Sequence, residues 1–292
     1  MNRTLAAFKA GSAFARLLPE GMANGLARVA GYGAARVSPE RRAQVERNLR
    51  RVYGPGFGGS VLRHAVDETF ESYARYWAES FRLPGTTPEQ LDAGLTVEGL
   101  EHVDEGVARG KGVILALPHL GGWEWAGFWV STVHKLPITV VVEALDPPEL
   151  FDWFVGLRRS FGMNVVSLGP DAAGQVVRAL KNNHVVCLLC DRDIGGGGVE
   201  VDFFGERTTL PGGPATLALR TGAPLLPTAA YFRGHGHHGV VRPPIPAERQ
   251  GGLRNDVTRV TQLLANELEV LIRAAPEQWH LLQPNWPSDR SE

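Results

Sequence analysis

The chain has 292 residues, 43% of them hydrophobic and 21% charged, with a formal net charge of -1. It can therefore bury a large core at the upper edge of single-domain size. Its longest apolar runs, such as residues 113–118, fall far short of the roughly 20 residues of a membrane-crossing helix, so any membrane contact is expected to be peripheral.

The first 51 residues hold ten cations against three acids. Such a basic terminus suits nucleic acid or the anionic lipid of a cytoplasmic leaflet, or is the solvated face of ordinary helices. The start lacks the charged, apolar and cleavage regions of a secretory signal peptide, so the mature chain is expected to begin near Met1. Met22, Leu26 and Val29 recur at helical spacing, whereas Leu5, Phe8, Phe14 and Leu17 share no narrow stripe. A helix apolar over so broad an arc calls for burial or lipid. In "VSPERR", Ser38 is placed to cap a helix running toward Leu49, with Pro39 first and Glu40 in the first turn. "GPGFGG" breaks it. Leu62, Val66, Phe70, Tyr73, Trp77 and Phe81 then define a long amphipathic helix over 60–83, ended by Pro84.

From about residue 95 the pattern changes to β-rich runs between helical stretches. The runs are 112–117, 138–143, 164–168, 185–190, 199–204, 225–231 and 239–242, and a closing helix covers 252–274. This alternation predicts an α/β fold with a mostly parallel sheet covered by helices. Residues 1–94 are read as a basic, membrane-associating helical region and 95–292 as the α/β core. Cys187 and Cys190 stand three apart in a buried strand, on opposite faces, which reads as core and not as a redox or zinc pair.

The run "LALPHLGGWEWA" ends a strand at Leu117 and Pro118, places His119 just beyond it, and turns through Gly121 and Gly122 into a helix carrying Glu124. Active sites of open α/β sheets collect at the carboxyl ends of strands, so His119 stands where a general base would. Glu124 among tryptophans is costly unless its charge is used, although the helix dipole alone would stabilise an acid in a first turn. There is no Gly-x-Ser-x-Gly elbow and no His-Glu-x-x-His helix, and the glycines of "DIGGGGVE" lack the lysine of a phosphate-binding loop. "GHGHHG", with His235, His237 and His238, reads as a flexible hairpin tip, and no metal site is expected.

A second polar cluster lies in "CDRDIGGGGVEVDFFGERTTLPGGP". Asp191, Arg192 and Asp193 close one strand, and Glu200 and Asp202 share a face of the next. Asp191 and Arg192 are candidate substrate ligands, with Arg159 a further candidate cation. Trp123, Trp125, Phe128 and Trp129 wrap the helix after His119 in aromatic surface, either plain core or the wall of an apolar ligand channel.

"PHLGGWEWAG" resembles the His-x4-acid motif of the glycerolipid acyltransferase superfamily, in the branch of lipid A and phosphatidylinositol mannoside acyltransferases. "RLLPEGMANGL", "RNLRRVYG", "SYARYWAESFRLP", "LLCDRD", "GVEVDFFGE" and "WHLLQPNW" are similar to the mannoside branch in particular. The resemblance implies a glycerol-3-phosphate acyltransferase-like fold and a peripheral enzyme on the cytoplasmic face of the membrane. It would carry a long acyl chain from acyl-CoA to the 6-hydroxyl of a mannose on a phosphatidylinositol mannoside. It needs no cofactor beyond the acyl-CoA co-substrate. His119 would be the base, oriented by either Glu124 or Glu200, and Arg192 would bind phosphate or position Glu200. Glu124 stands where many members carry aspartate. The competing expectations are a lipid A precursor or lysophospholipid as acceptor, or a non-catalytic lipid-binding protein. A nucleic-acid partner is disfavoured, because the cations lack interleaved aromatics.

Overall fold

The computed structural model describes residue 13, residues 20–143 and residues 148–290, so Leu5, Phe8, Phe14 and Leu17 lie outside the described residues. Among the described residues four helices lead in: α1 (Glu20–Val37), α2 (Pro39–Tyr53), α3 (Gly59–Arg82) and α4 (Pro88–Ala93). Pro39 opens α2 as a first-turn proline can, yet the Ser38 hydroxyl makes no capping bond, and the helix runs past Leu49 to Tyr53. α1 lies closely on α3 through Gly31, where a Cβ would fall 2.8 Å from the Phe70 carbonyl oxygen. Ala35, one turn on, is buried. That contact turns the opposite face outward and leaves Leu26, Val29 and Val37 50%, 70% and 79% exposed. Leu26 and Val29 therefore do not find burial within the described chain.

The sheet is built from β1 (Leu95–Glu98), β2 (Val113–Leu117), β3 (Ile138–Val142), β4 (Asn164–Ser167), β5 (Val185–Leu189), β8 (Leu225–Arg233) and β9 (Gly236–Val241). Its seven strands run in the order β1-β9-β8-β2-β5-β3-β4. Every pairing is parallel except β8 with β9. β6 (Val199–Phe203) and β7 (Glu206–Leu210) form a separate antiparallel hairpin. The alternating α/β pattern thus folds as expected. The sequence pattern misses β1 and β7, since runs of four and five mixed residues barely establish a period of two.

β2 is central and buried along its whole length, as a strand covered on both faces must be. Alternation sends Ile114 and Ala116 into the cluster built with α8 (Ala172–Lys181), α9 (Gly213–Thr221) and α10 (Leu253–Arg273). Val113, Leu115 and Leu117 face the other layer, with α5 (Leu100–Ala108). On that side α6 (Trp123–Thr132) contributes Phe128 and Trp129, and α7 (Pro148–Ser160) follows β3. The tail ties the layers to the leading helices: Gln44 and Arg51 of α2 donate to Asp289, and Asn48 donates to the Leu281 carbonyl.

Candidate active site

The site follows from the register of β2 and β5, which are adjacent and parallel and pair Leu117 with Leu189. Two residues beyond each, His119 and Asp191 emerge on the same side of neighbouring strands. His119 Nδ1 lies 2.6 Å from Asp191 Oδ1. The other oxygen, Oδ2, accepts from the His119 backbone N–H at 3.0 Å and from Trp279 Nε1 at 2.8 Å. Asp191 is fully buried. Burial alone would push its carboxyl up, but the attraction of His119 and these hydrogen bonds outweigh it and hold Asp191 below the usual carboxylate range. An ionised Asp191 only accepts, so the neutral His119 ring carries its proton on Nδ1, and Nε2 is left able to take one.

The turn that carries His119 is pinned on both sides. Gly121 has φ +59°, and a Cβ on it would fall 2.2 Å from the Ala230 carbonyl oxygen; one on Gly122 would fall 2.4 Å from His237 Cδ2. Gly121 N–H donates to the Gln278 carbonyl, Gly122 N–H to that of Ala230, and His280 N–H to that of His119. A cavity of about 340 Å³ opens here, bordered by His119, Tyr76 and Trp123. It follows one face of α6, whose Trp123, Ala126, Gly127 and Val130 recur at helical spacing along its wall.

The expected partners of His119 are engaged elsewhere. Glu124 makes a bidentate ion pair with Arg158 of α7, and its charge is used there. Glu200 stands on the β6–β7 hairpin, 77% exposed and paired with Arg207 at 3.2 Å. Asp202 is exposed beside it. Neither glutamate hydrogen-bonds His119; Asp191, expected as a substrate ligand, does. Arg192 lines the cavity and bonds Glu143 at 3.0 Å, and its buried Nε has no partner among the described residues. Arg159 is exposed and off the cavity wall, which its neighbour Arg158 joins instead.

Of the four aromatic residues expected at a channel wall, Trp123 and Trp129 line the cavity. Trp125 instead stacks on His237 and donates to the Leu91 carbonyl, while Phe128 is fully buried against Phe161. The "GHGHHG" segment is a hairpin tip only at Gly234 and His235, between β8 and β9: His237 and His238 lie in β9, and His237 is buried against Glu79 at 2.8 Å. Among the described residues no cluster of His, Cys, Asp and Glu is placed to hold a metal ion. Cys187 and Cys190 are free thiols, and burial, with Glu124 nearby, pushes Cys187 up to about 12.

Sequence reasoning missed Arg158, Tyr76, Trp279 and His280. The last two sit in "WHLLQPNW", a tail without periodicity. His280 borders the cavity, its Nε2 2.8 Å from Ser72 Oγ. Burial above all, and then the neighbouring His119 against the pull of Asp191, drives its ring down to about 3, so it is neutral at physiological pH.

A histidine held by a buried carboxylate thus borders a cavity lined largely by apolar side chains. A family model described as bacterial lipid A biosynthesis acyltransferase matches residues 5–288, and the chain belongs to that family: it is an acyltransferase. It is 41% identical over 292 residues to a phosphatidylinositol mannoside acyltransferase of Mycobacterium tuberculosis, covering 98% of this chain and 89% of the relative. A protein of the same description from Mycolicibacterium smegmatis is 39% identical over 289 residues, 98% of this chain and 92% of its own. A lipid A biosynthesis acyltransferase of Haemophilus influenzae is 24% identical over 246 residues, 82% and 74% of the two chains.

Proposed function

We propose that the protein transfers a long acyl chain from acyl-CoA to the 6-hydroxyl of a mannose on a phosphatidylinositol mannoside, with His119 as general base. The observation that carries the chemistry is the His119–Asp191 pair, whose histidine borders the cavity. His119 Nε2 takes the hydroxyl proton as the oxygen attacks the thioester carbonyl. The tetrahedral intermediate then expels the coenzyme A thiolate, which takes that proton from the imidazolium and leaves as the thiol. Asp191 keeps the ring oriented and offsets the charge it gains. A thioester is already activated, so no covalent acyl-enzyme is required. The acceptor rests on the two mannoside relatives. The outward stripe of Leu26, Val29 and Val37 on α1, together with the basic first 51 residues, supports peripheral attachment to an anionic membrane at the cytoplasmic face.

The test is mass spectrometry of products from purified protein, palmitoyl-CoA and three acceptors: phosphatidylinositol mannoside, lysophosphatidic acid and a lipid A precursor. The mannoside is expected to be acylated fastest; equal rates on lysophosphatidic acid would overturn the acceptor. His119→Ala is expected to fold and to lose about 100- to 10,000-fold in transfer. Asp191→Asn should lose about a hundredfold or more, and Glu200→Gln should stay within about twofold. Undiminished transfer by folded His119→Ala would sink the mechanism.

A further inference from the structure

Gly127 lies in the middle of α6, where glycine is the weakest helix former apart from proline. Other glycines of the site have a steric reason to be glycine. A Cβ on Gly121 or Gly122 would collide with Ala230 or His237, and one on Gly94 would fall 2.6 Å from the Trp125 ring. Gly127 has no such reason. A Cβ there meets only the Met163 methyl, at 3.5 Å, an ordinary contact, and no left-handed backbone requires glycine. Gly127 and Met163 both border the cavity, so the missing side chain leaves open cavity and not packed protein.

The position along the wall matters. Gly127 is one helical turn beyond Trp123, about 6 Å along the axis, and Val130 and His134 continue the same lining. We propose that Gly127 is a specificity-determining residue, whose missing side chain opens the cavity to long acyl chains and which, enlarged, would restrict it to short ones. This rests on reading the cavity as the acyl channel.

The experiment compares wild type with Gly127→Ala and Gly127→Leu in two arms. The first measures binding of S-hexadecyl- and S-octyl-coenzyme A thioethers by calorimetry, which needs no acceptor. The second measures transfer from palmitoyl- and octanoyl-CoA to phosphatidylinositol mannoside. Gly127→Leu is expected to lower the long-to-short ratio at least about tenfold in both arms, because the deeper methylenes lose their burial, while the KM for the mannoside stays unchanged. Gly127→Ala should lower the ratio about threefold with a thermal midpoint equal to or above wild type, since alanine favours the helix. It decides alone should Gly127→Leu fail to fold. Gly156→Ala on α7, an exposed position with nothing within 4 Å of a Cβ, is the control for helix stiffening and should leave the ratio unchanged. An unchanged ratio at position 127 in a folded variant, or an equal loss for both chain lengths, would overturn the proposal. A wild type that binds the thioethers but acylates no mannoside would overturn the acceptor reading alone, and the binding ratio would still decide Gly127.

Discussion

His280 shows how much of the site's behaviour is set by a single buried ring. Its imidazole is 5% exposed, tied to Ser72 through Nε2, and packed among Tyr73, Tyr76 and Trp123, with its backbone N–H on the His119 carbonyl. The folded chain holds this group at about 3, against about 6.5 for an ordinary imidazole. Between those values the unfolded chain binds a proton that the folded chain refuses. The stability this ring contributes is therefore complete above about pH 6.5 and is lost as pH drops toward 3. His280→Gln should flatten that decline by up to about 1.4 kcal/mol per pH unit, read by urea unfolding at about pH 4.5, 5.5 and 6.5. Parallel curves for variant and wild type would show that the ring is not excluded from protonation.

Two elements meet where Glu124 of α6 pairs with Arg158 of α7, side chains only 11% and 15% exposed on the cavity wall. Removing one partner leaves the other charge buried, which costs about 3 kcal/mol or more, whereas replacing both restores an uncharged wall. Glu124→Gln is accordingly expected to lose about 3 kcal/mol in chemical unfolding, and the Glu124→Gln/Arg158→Met double variant to recover most of it. Additive losses would mean the pair carries no coupling. The helix itself explains why periodicity could not divide its aromatic residues between core and channel wall. α6 is apolar on nearly every side, because it packs on the sheet, on α4 and on the cavity at once, and such a helix has no face its pattern can single out. Trp125 and Phe128 turned to protein while Trp123 and Trp129 reached the cavity.

At the scale of the whole molecule, the tail closes the site from below. Trp279 donates to the Asp191 carboxylate and Asn285 to the Asp191 backbone carbonyl. One turn past Asn285 the same segment reaches Asp289, on which Gln44, Arg51 and the backbone N–H groups of Asn285 and Trp286 converge. The tail thus couples the leading helices to the carboxylate that holds His119. The proposed membrane attachment belongs to this scale too, since it needs the stripe on α1 and the basic first 51 residues together. Binding to anionic vesicles should weaken as salt rises, each cation near the surface being worth about 1 kcal/mol, and Leu26→Asp/Val29→Asp should weaken it further at every salt concentration. Cosedimentation that is indifferent to both would remove the peripheral assignment.

The residues by themselves determined the α/β alternation, the long helices α3 and α10, and His119 at the carboxyl end of a strand, because periodicity and turn chemistry are local. They did not determine the partner of His119. Glu124 is close to it in the chain and Asp191 is 72 residues away, yet the helix that begins after Gly122 carries Glu124 to Arg158, while the β2–β5 pairing brings Asp191 alongside. Parallel strands are joined by long crossovers, so neighbours in the sheet are distant in the chain, and strand order is settled only when the helices pack on both faces. The same packing decided that Glu200 stays on an exposed hairpin, that Trp279 and His280 come under the site, and that an unremarked glycine opens the cavity wall.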